Sequence, residues 1–393
     1  MPALGGGAAA NRPPITLLDG SVGHTLKQTG AIPAESTFLA VADLAASGDP
    51  SALTALAAQY AAAGCTVLTV PNFGVTPASL ARAGRADSDL EPLTSACVDA
   101  VRRARPPGTT TLLAGCLPPL GPDCYAPAPP GVAATSRAVY ARIAGVLLAG
   151  GVDLLLAETA SSSADAAAAL AGAADAVAAA AEATASTAAA ARLSLPLWIA
   201  WTLDDDAWPP SLRGGEYLAD AAASLSAAEA RAQAATAAAA AAAAAAVREA
   251  GGGGGAGGSD GGGEAPPPSP AVAVTAHLVN CCSPGAVAAG IAVLRNVLPP
   301  GVAVGGYANG FATPTSAWLR RGHGAGGAGA EEGSGGADAA GPSYGPDDLI
   351  TPSAYAAAVE EWVTAGATIV GGCCGVGVEH LRAVRGRRVV GEK

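Results

Sequence analysis

The stretch Gly366-Ala367-Thr368-Ile369-Val370-Gly371-Gly372-Cys373-Cys374-Gly375 joins a short apolar run to two adjacent cysteines. The apolar residues predict a buried strand, and the glycines allow the backbone to leave strand geometry where the strand ends. A second vicinal pair, Cys281-Cys282, follows another apolar run far upstream. Cysteine pairs at the ends of two strands predict a site for a soft metal ion.

Seven more apolar runs precede this one, and polar or thiol-bearing residues follow each of them. The runs are continuous rather than alternating, as expected for parallel strands buried on both faces. Amphipathic segments predicted to be helical separate them, for example residues 51–63, 90–105, 136–150 and 355–366. The eight predicted strands are residues 15–18, 66–70, 110–114, 152–157, 197–201, 276–279, 302–306 and 367–370. This alternation predicts a single (β/α)8 TIM barrel, whose chemistry lies at the carboxyl ends of its strands.

The length of the chain indicates insertions within this barrel. The chain has 393 residues, 50% of them apolar, whereas a single core stops growing at roughly 250–300 residues. An unbroken alanine run at 237–246 favours helix on propensity alone. The Gly- and Pro-rich segment 251–270 and the Gly-rich segment 322–341 are predicted to be flexible insertions without a catalytic role.

Charge and composition limit the possible partners. A formal charge of −11 argues against nucleic acid. The Ala-rich stretches that begin at Ala164 and Ala219 carry Asp, Glu and Arg, so no membrane partner is expected. The cysteines are sparse, and residues 1–14 lack the apolar core of a signal peptide. We therefore expect a soluble protein in a reducing compartment, the cytoplasm.

Three of the cysteines are the predicted metal ligands. Cys281, Cys373 and Cys374 supply three thiolates, and a catalytic zinc site keeps a fourth position open. Cys282 is predicted not to be a ligand, since it lies one residue into the next turn. Cys116 ends the third strand and is a weaker candidate. The remaining cysteines are assigned packing or loop roles, and among the histidines only His24 lies near the active face.

Two carboxylates follow strands on the same face as these cysteines. Asp19 ends the first predicted strand and Glu158 ends the fourth. Both are expected at the barrel mouth, where carboxylates suit a cationic ligand group such as the ammonium of an amino acid. Asp19 has an equally good alternative role as a helix N-cap or turn residue, because Asp-Gly is common there.

The motifs resemble those of the homocysteine S-methyltransferase family along nearly the whole barrel. The combination of Asn280-Cys281-Cys282 with the Gly-Gly-Cys-Cys-Gly stretch is the most specific part of the resemblance. The other matching pieces are Leu17-Leu18-Asp19-Gly20, Ala114-Gly115-Cys116-Leu117-Pro118-Pro119, Ala157-Glu158-Thr159, Trp201-Thr202-Leu203-Asp204-Asp205-Asp206, Leu212-Arg213-Gly214-Gly215-Glu216 and Tyr307-Ala308-Asn309-Gly310.

The resemblance implies a (β/α)8 barrel that binds zinc through Cys281, Cys373 and Cys374. It also implies homocysteine as the acceptor, its thiol in the open zinc position, and Asp19 and Glu158 at its amino-acid end. Two positions near the pocket depart from the family pattern. Thr25 stands where the family often has Glu, and Pro71 stands where it usually has Thr. These departures leave the donor preference open.

The predicted chemistry is methyl transfer to a thiolate. A free thiol with a pKa near ~8.5 is mostly protonated at neutral pH, and zinc coordination deprotonates it, so no catalytic residue beyond the metal centre is needed. S-Methylmethionine is the favoured sulfonium donor and S-adenosylmethionine the second choice. Trp201, Phe73 or Tyr125 could face the cationic sulfur. The alternatives are betaine as donor, another small thiol or selenol as acceptor, a non-catalytic zinc-binding barrel, and a dithiol redox protein.

Overall fold

Eight parallel strands form one sheet in the order β1-β8-β7-β6-β5-β4-β3-β2. A bridge between Leu18 and Val67 joins the first strand to the second, which closes the sheet into a barrel. This computed structural model describes residues 14–105, 108–183, 194–250, 271–312 and 348–387. The strands are β1 Thr16–Leu17, β2 Val67–Thr69, β3 Leu112–Leu117, β4 Leu154–Ala160, β5 Ser194–Thr202, β6 Ala271–Asn280, β7 Ala303–Tyr307 and β8 Ile369–Val370. The predicted (β/α)8 TIM barrel is therefore confirmed.

The helices surround this barrel, and the four amphipathic segments predicted from the sequence are all helical. Three helices begin with Pro in the first turn behind a Thr or Ser whose side chain accepts a backbone N–H, an arrangement that favours helix initiation. The helices are α1 Val22–Gln28, α2 Leu39–Ala45, α3 Ser51–Ala62, α4 Pro77–Arg82, α5 Leu90–Ala104, α6 Ala133–Ala149, α7 Ser163–Ala183, α8 Leu218–Ala250, α9 Pro284–Val297, α10 Pro352–Thr364 and α11 Val378–Gly386.

Apolar side chains fill both faces of the sheet. A small cluster occupies the barrel interior and includes Leu156, Trp198, Leu278 and Ile369. A larger cluster lies between the sheet and the helices. Because apolar side chains cover both faces of the sheet, the strands appear in the sequence as continuous apolar runs.

Several strands extend beyond their predicted ends. β3 continues to Leu117 and β4 to Ala160, so Cys116 and Glu158 lie within strands rather than after them. β6 begins at Ala271, several residues before its predicted start. Polar residues can continue a strand here because their side chains find hydrogen-bond partners at the mouth of the barrel.

The alanine run at 237–246 lies within α8, as its helix propensity predicted. The two segments predicted to be flexible insertions, 251–270 and 322–341, lie outside the described residues. Among the described residues one helical segment, Ser163–Glu182 of α7, is long and apolar enough to cross a membrane. Half of that segment is buried, and it packs against α6 and β4, so its apolar composition matches its place in the helix layer.

Candidate active site

The ends of β6 and β8 bring three cysteines together, with only β7 between them. The Sγ atoms of Cys281, Cys373 and Cys374 all lie within 4.8 Å of one another. The Sγ atoms of Cys281 and Cys373 are 2.7 Å apart. Three thiols at this spacing can converge on one ion, which is the arrangement that the sequence predicted.

Backbone contacts fix the turn that carries Cys373 and Cys374. The Cys373 amide donates to the Ala308 carbonyl at 3.0 Å, and the Gly310 amide donates to the Cys374 carbonyl at 2.7 Å. The buried Tyr355 hydroxyl donates to the Gly371 carbonyl at 2.6 Å. A Cβ on Gly372 would lie 2.3 Å from Val376, so only glycine fits at that point of the turn.

The turn at Cys281 is fixed in a different way. Cys281 has a φ of 53°, a left-handed conformation that non-glycine residues rarely adopt and that turns its thiol out of the strand direction. The side-chain amide (Nδ2) of Asn280 donates to the Thr159 hydroxyl at 3.0 Å. Thr159 also has a positive φ, of 60°, and directly follows Glu158. Uncommon backbone geometry at two linked positions is typical of a functional site.

The three thiols influence one another's ionisation. Hydrogen bonds from Cys281 and Cys373 hold the pKa of Cys374 well below its usual value, and the same contacts raise the pKa of Cys373. His24 adds to the lowering at Cys374. The three sulfur atoms are donors at a mostly buried site, and this chemistry suits zinc, which prefers thiolate ligands and tetrahedral geometry.

Asp19 follows β1 and faces the same cavity. Its carboxylate accepts hydrogen bonds from the Thr69 amide at 2.8 Å and from the Thr69 hydroxyl at 2.9 Å. Ser21, and not Asp19, caps α1, so the alternative role of Asp19 as a helix cap is wrong. Burial raises the pKa of Asp19 from 3.8 to about 7, and the charge of Glu158 adds to the effect.

Glu158 lies on β4 with two donors that the sequence did not reveal. The Tyr307 hydroxyl donates to its carboxylate at 2.9 Å, and the Cys116 thiol donates at 3.0 Å. Burial raises the pKa of Glu158, because the charged form is poorly solvated there. A cationic group beside these two buried carboxylates would favour their charged forms.

A cavity of about 570 Å³ connects these groups. It is lined by the three cysteines, by both carboxylates and by aromatic residues that include Phe38, Phe73, Tyr125 and Phe311. Phe73 and Tyr125, two of the three aromatic residues considered for the donor sulfur, therefore line the cavity. Trp201 does not, because its side chain is fully buried in the outer core and its indole N–H donates to His277 at 3.1 Å.

The remaining cysteines lie outside the cluster. Cys282 is fully buried in the outer core, in agreement with its prediction as a non-ligand. Cys116, the weaker ligand candidate, is bonded to Glu158 instead. Cys65 and Cys97 are buried in the core, and Cys124 lies half-buried on the loop that lines the cavity.

The loop that carries Tyr125 is anchored from two sides. The Ser161 hydroxyl donates to the Tyr125 carbonyl at 2.8 Å. The guanidinium of Arg213 lies 4.8 Å from the centre of the Tyr125 ring, a cation–π contact. Arg213 is in turn paired with the buried Asp205 at 3.3 Å. The motif segments that hold Asp205 and Arg213 thus support the pocket wall without lining it.

The positions that depart from the family pattern are also in or near the cavity. The Thr25 hydroxyl donates to the Ser21 carbonyl at 2.6 Å, which ties it to its own helix. Pro71 lines the cavity directly.

The family model for homocysteine S-methyltransferase matches residues 16–260 and 263–387 of this chain. The chain belongs to this family. Family membership supports methyl transfer to homocysteine as the type of reaction. A comparison with proteins of curated function finds no match.

Solved structures agree with the fold. The homocysteine methyltransferase MmuM from Escherichia coli in its metallated form is 19% identical, with 96% of this chain and 97% of that chain covered and a TM-score of 0.57. Its oxidised form is 19% identical, with coverage of 95% and 96% and a TM-score of 0.58. At this identity the likeness supports the barrel fold alone.

Proposed function

We propose that this protein transfers a methyl group from S-methylmethionine to the thiol of L-homocysteine, with zinc bound by Cys281, Cys373 and Cys374. One observation carries the proposal. Three cysteine sulfur atoms within 4.8 Å of one another open onto a cavity that two buried carboxylates also line. A thiol-bearing amino acid matches this pair of subsites, because its sulfur and its ammonium group need a soft metal and an anionic partner.

The chain's own residues bind and orient the acceptor. Asp19 and Glu158 face its ammonium group, and Thr69 and Tyr307 hold the two carboxylates in place through their hydrogen bonds. Zinc, when bound, would lower the pKa of the acceptor thiol, so that the thiolate is the nucleophile.

The transfer itself needs only orientation. The acceptor thiolate forms a bond to the methyl carbon as the bond from that carbon to the donor sulfur breaks. The donor leaves as a neutral thioether, so both products are methionine when the donor is S-methylmethionine. No proton moves in this step, which agrees with the absence of a required general base. Phe73 and Tyr125 line the cavity and can stabilise the sulfonium through cation–π contacts.

A reducing compartment such as the cytoplasm suits this site. All eight cysteines are free thiols, and oxidation of the cluster would remove the zinc ligands. S-Adenosylmethionine is the second candidate donor and betaine a further one.

The first test is metal content. The full chain, purified under reducing conditions, should contain about one zinc per chain. Cys373→Ser should lose most of this zinc, whereas Cys124→Ser, which changes a cysteine of the same cavity outside the cluster, should keep it. A wild-type protein without zinc, or equal zinc in the two variants, contradicts the proposed ligand set.

The second test is a donor panel. Zinc-loaded protein is incubated with homocysteine and with S-methylmethionine, S-adenosylmethionine or betaine, and methionine formation is measured. We expect the highest rate with S-methylmethionine. A protein that binds zinc but methylates no thiol with any donor would support the non-catalytic alternative.

A further inference from the structure

Two nitrogen-bearing side chains of α1, the Lys27 ammonium and the His24 imidazole, line the cavity. Burial lowers the pKa of His24, which favours its neutral form. Among the described lining residues only His24 and Lys27 can carry positive charge. They lie three residues apart on α1, so both side chains are on one face of that helix. The other charged groups at the cavity, Asp19 and Glu158 among them, are acidic.

Both side chains keep hydrogen-bonding capacity that no described residue uses. The Lys27 ammonium donates to the Ser36 carbonyl at 2.6 Å and has no carboxylate partner within the described part of the chain. An ammonium has three donors, so two stay available. The Nε2 atom of His24 is buried and has no hydrogen-bond partner among the described residues. An unpaired buried donor or acceptor costs free energy, so the Nε2 atom of His24 points to a ligand group that pairs with it. The half-buried Lys27 ammonium adds free donors on the same face of α1.

The contacts of His24 show where this face of α1 lies in the cavity. Asp19 and Tyr307 are only 6% and 3% exposed and form the floor of the cavity. Phe38 and Phe311 are 54% and 37% exposed and mark its mouth. The His24 ring packs edge-on against Phe311, with ring centres 5.5 Å apart. His24 therefore lies between the cysteine cluster and the mouth, beside the path by which the donor enters once the acceptor occupies the floor.

We propose that His24 and Lys27 bind the carboxylate of the methyl donor. This inference rests on the proposed function, because it assigns the second amino acid of that reaction to its own subsite. The donor carries a cationic sulfonium at one end and, at the other, a carboxylate and an ammonium on the same carbon. Lys27 attracts the carboxylate and repels the sulfonium, so the pair orients the donor with its methyl group towards the cysteine cluster.

The experiment removes the charge from the protein and the carboxylate from the donor in turn. Zinc-loaded Lys27→Met and His24→Gln are compared with wild type for kcat/KM, using S-methylmethionine and its decarboxylated analogue, (3-aminopropyl)dimethylsulfonium. Lys27→Met should lose about 10- to 100-fold with S-methylmethionine, the range of a charge-assisted hydrogen bond. With the decarboxylated donor the loss should be below about 3-fold. His24→Gln should show the same pattern with a smaller loss, and Lys27→Arg should recover most of the rate.

Two results of these assays overturn the inference. Equal losses with both donors indicate a structural role for Lys27, and a rise in the KM for homocysteine indicates that Lys27 holds the acceptor instead. Gln28→Met changes the next position of α1, which is exposed, and is the matched control. It should leave kcat/KM for the donor and KM for homocysteine unchanged.

A binding measurement separates this inference from the proposed function. Equilibrium dialysis of labelled S-methylmethionine against zinc-loaded protein needs no turnover. If wild type binds S-methylmethionine and Lys27→Met does not, the result supports the subsite even when no methyl group is transferred. A wild-type protein that methylates homocysteine from another donor but does not bind S-methylmethionine keeps the transferase proposal and overturns this one.

Discussion

Asp19→Asn should stabilise the protein above neutral pH while it weakens the binding of homocysteine. Asn keeps the shape of the side chain and both contacts with Thr69. Its amide oxygen accepts from the Thr69 N–H, and its amide nitrogen donates to the Thr69 hydroxyl, which can accept as well as donate. The substitution therefore removes a buried charge without leaving a buried group unpaired.

The magnitude follows from the raised pKa of Asp19. In the unfolded chain the group ionises near 3.8, and in the folded protein it ionises at about 7. Between these values only the unfolded state has lost the proton, so stability falls as the pH rises through this window. Above about pH 7 the penalty is complete, at roughly 4 kcal/mol for about three pKa units. Relaxation of the site reduces this figure, so the expected gain in the variant is roughly 2 to 4 kcal/mol.

Urea denaturation of the zinc-free, reduced protein from about pH 4 to about pH 8 measures this difference. The stabilities of variant and wild type should nearly coincide at about pH 4 and diverge until about pH 7. Asp99→Asn, at an exposed position of α5 paired with Arg102, is the control and should change stability by less than about 1 kcal/mol. Parallel pH curves for Asp19→Asn and wild type, or a variant that is less stable at pH 8, would refute the reasoning.

Three further predictions concern the same site. Tyr355→Phe leaves the buried Gly371 carbonyl without its 2.6 Å donor, so the free energy of unfolding should fall by about 1 to 3 kcal/mol and a chelator should remove zinc faster; unchanged zinc release would show that this bond does not support the turn. Glu158→Gln should raise the KM for homocysteine at least about 10-fold with little change in zinc content; a loss of zinc instead would place Glu158 at the metal. Oxidation of the zinc-free protein should join Cys281 to Cys373, whose sulfur atoms are 2.7 Å apart, rather than the adjacent cysteines, and peptide mapping by mass spectrometry distinguishes the two products.

The barrel could be predicted because its strands are buried on both faces. Continuous apolar runs mark such strands, and each run recurs after an amphipathic helix. β6 was predicted too short, because Ala and Thr alternate with valine in its first half and hide the run. The ends of β3 and β4 were missed for a different reason. The side chains of Cys116 and Glu158 are hydrogen-bonded to each other across β3 and β4, and sequence alone does not give the register that brings them together.

The site was predictable to the extent that it lies at strand ends. Cys281, Cys373 and Asp19 follow strands directly, and the barrel topology brings such residues to one face. Their supporting groups, Thr69 and Tyr307, depend on which side chains face each other across the barrel, so the sequence did not reveal them. Trp201 illustrates the same problem. It points to the helix layer, whereas Trp198 on the same strand points to the barrel interior.

The arrangement of charge in the cavity also makes a prediction about the order of binding. Asp19, Glu158 and the cysteine cluster put acidic groups into one buried region, where charged forms are poorly solvated. Burial and mutual repulsion therefore oppose full ionisation until cations arrive. Zinc offsets the charge of the thiolates, and the ammonium of homocysteine offsets that of the carboxylates. The cysteine cluster and the two carboxylates share one cavity. Zinc bound at the cysteines should therefore favour binding of the ammonium at the carboxylates, and the reverse.

Zinc should therefore increase the affinity for homocysteine beyond the contribution of a direct bond to its thiol. Homoserine, which has a hydroxyl in place of the thiol, isolates the part that acts through charge. Its affinity, measured by calorimetry, should be pH-dependent near pH 7 and should depend on Asp19, because binding of the ammonium ionises that carboxyl and releases its proton. Proton release is read directly from the dependence of the binding heat on the ionisation enthalpy of the buffer. Binding of homoserine without proton release near pH 7 would mean that Asp19 is already ionised in the free protein, and the electrostatic account of the pocket would then fail.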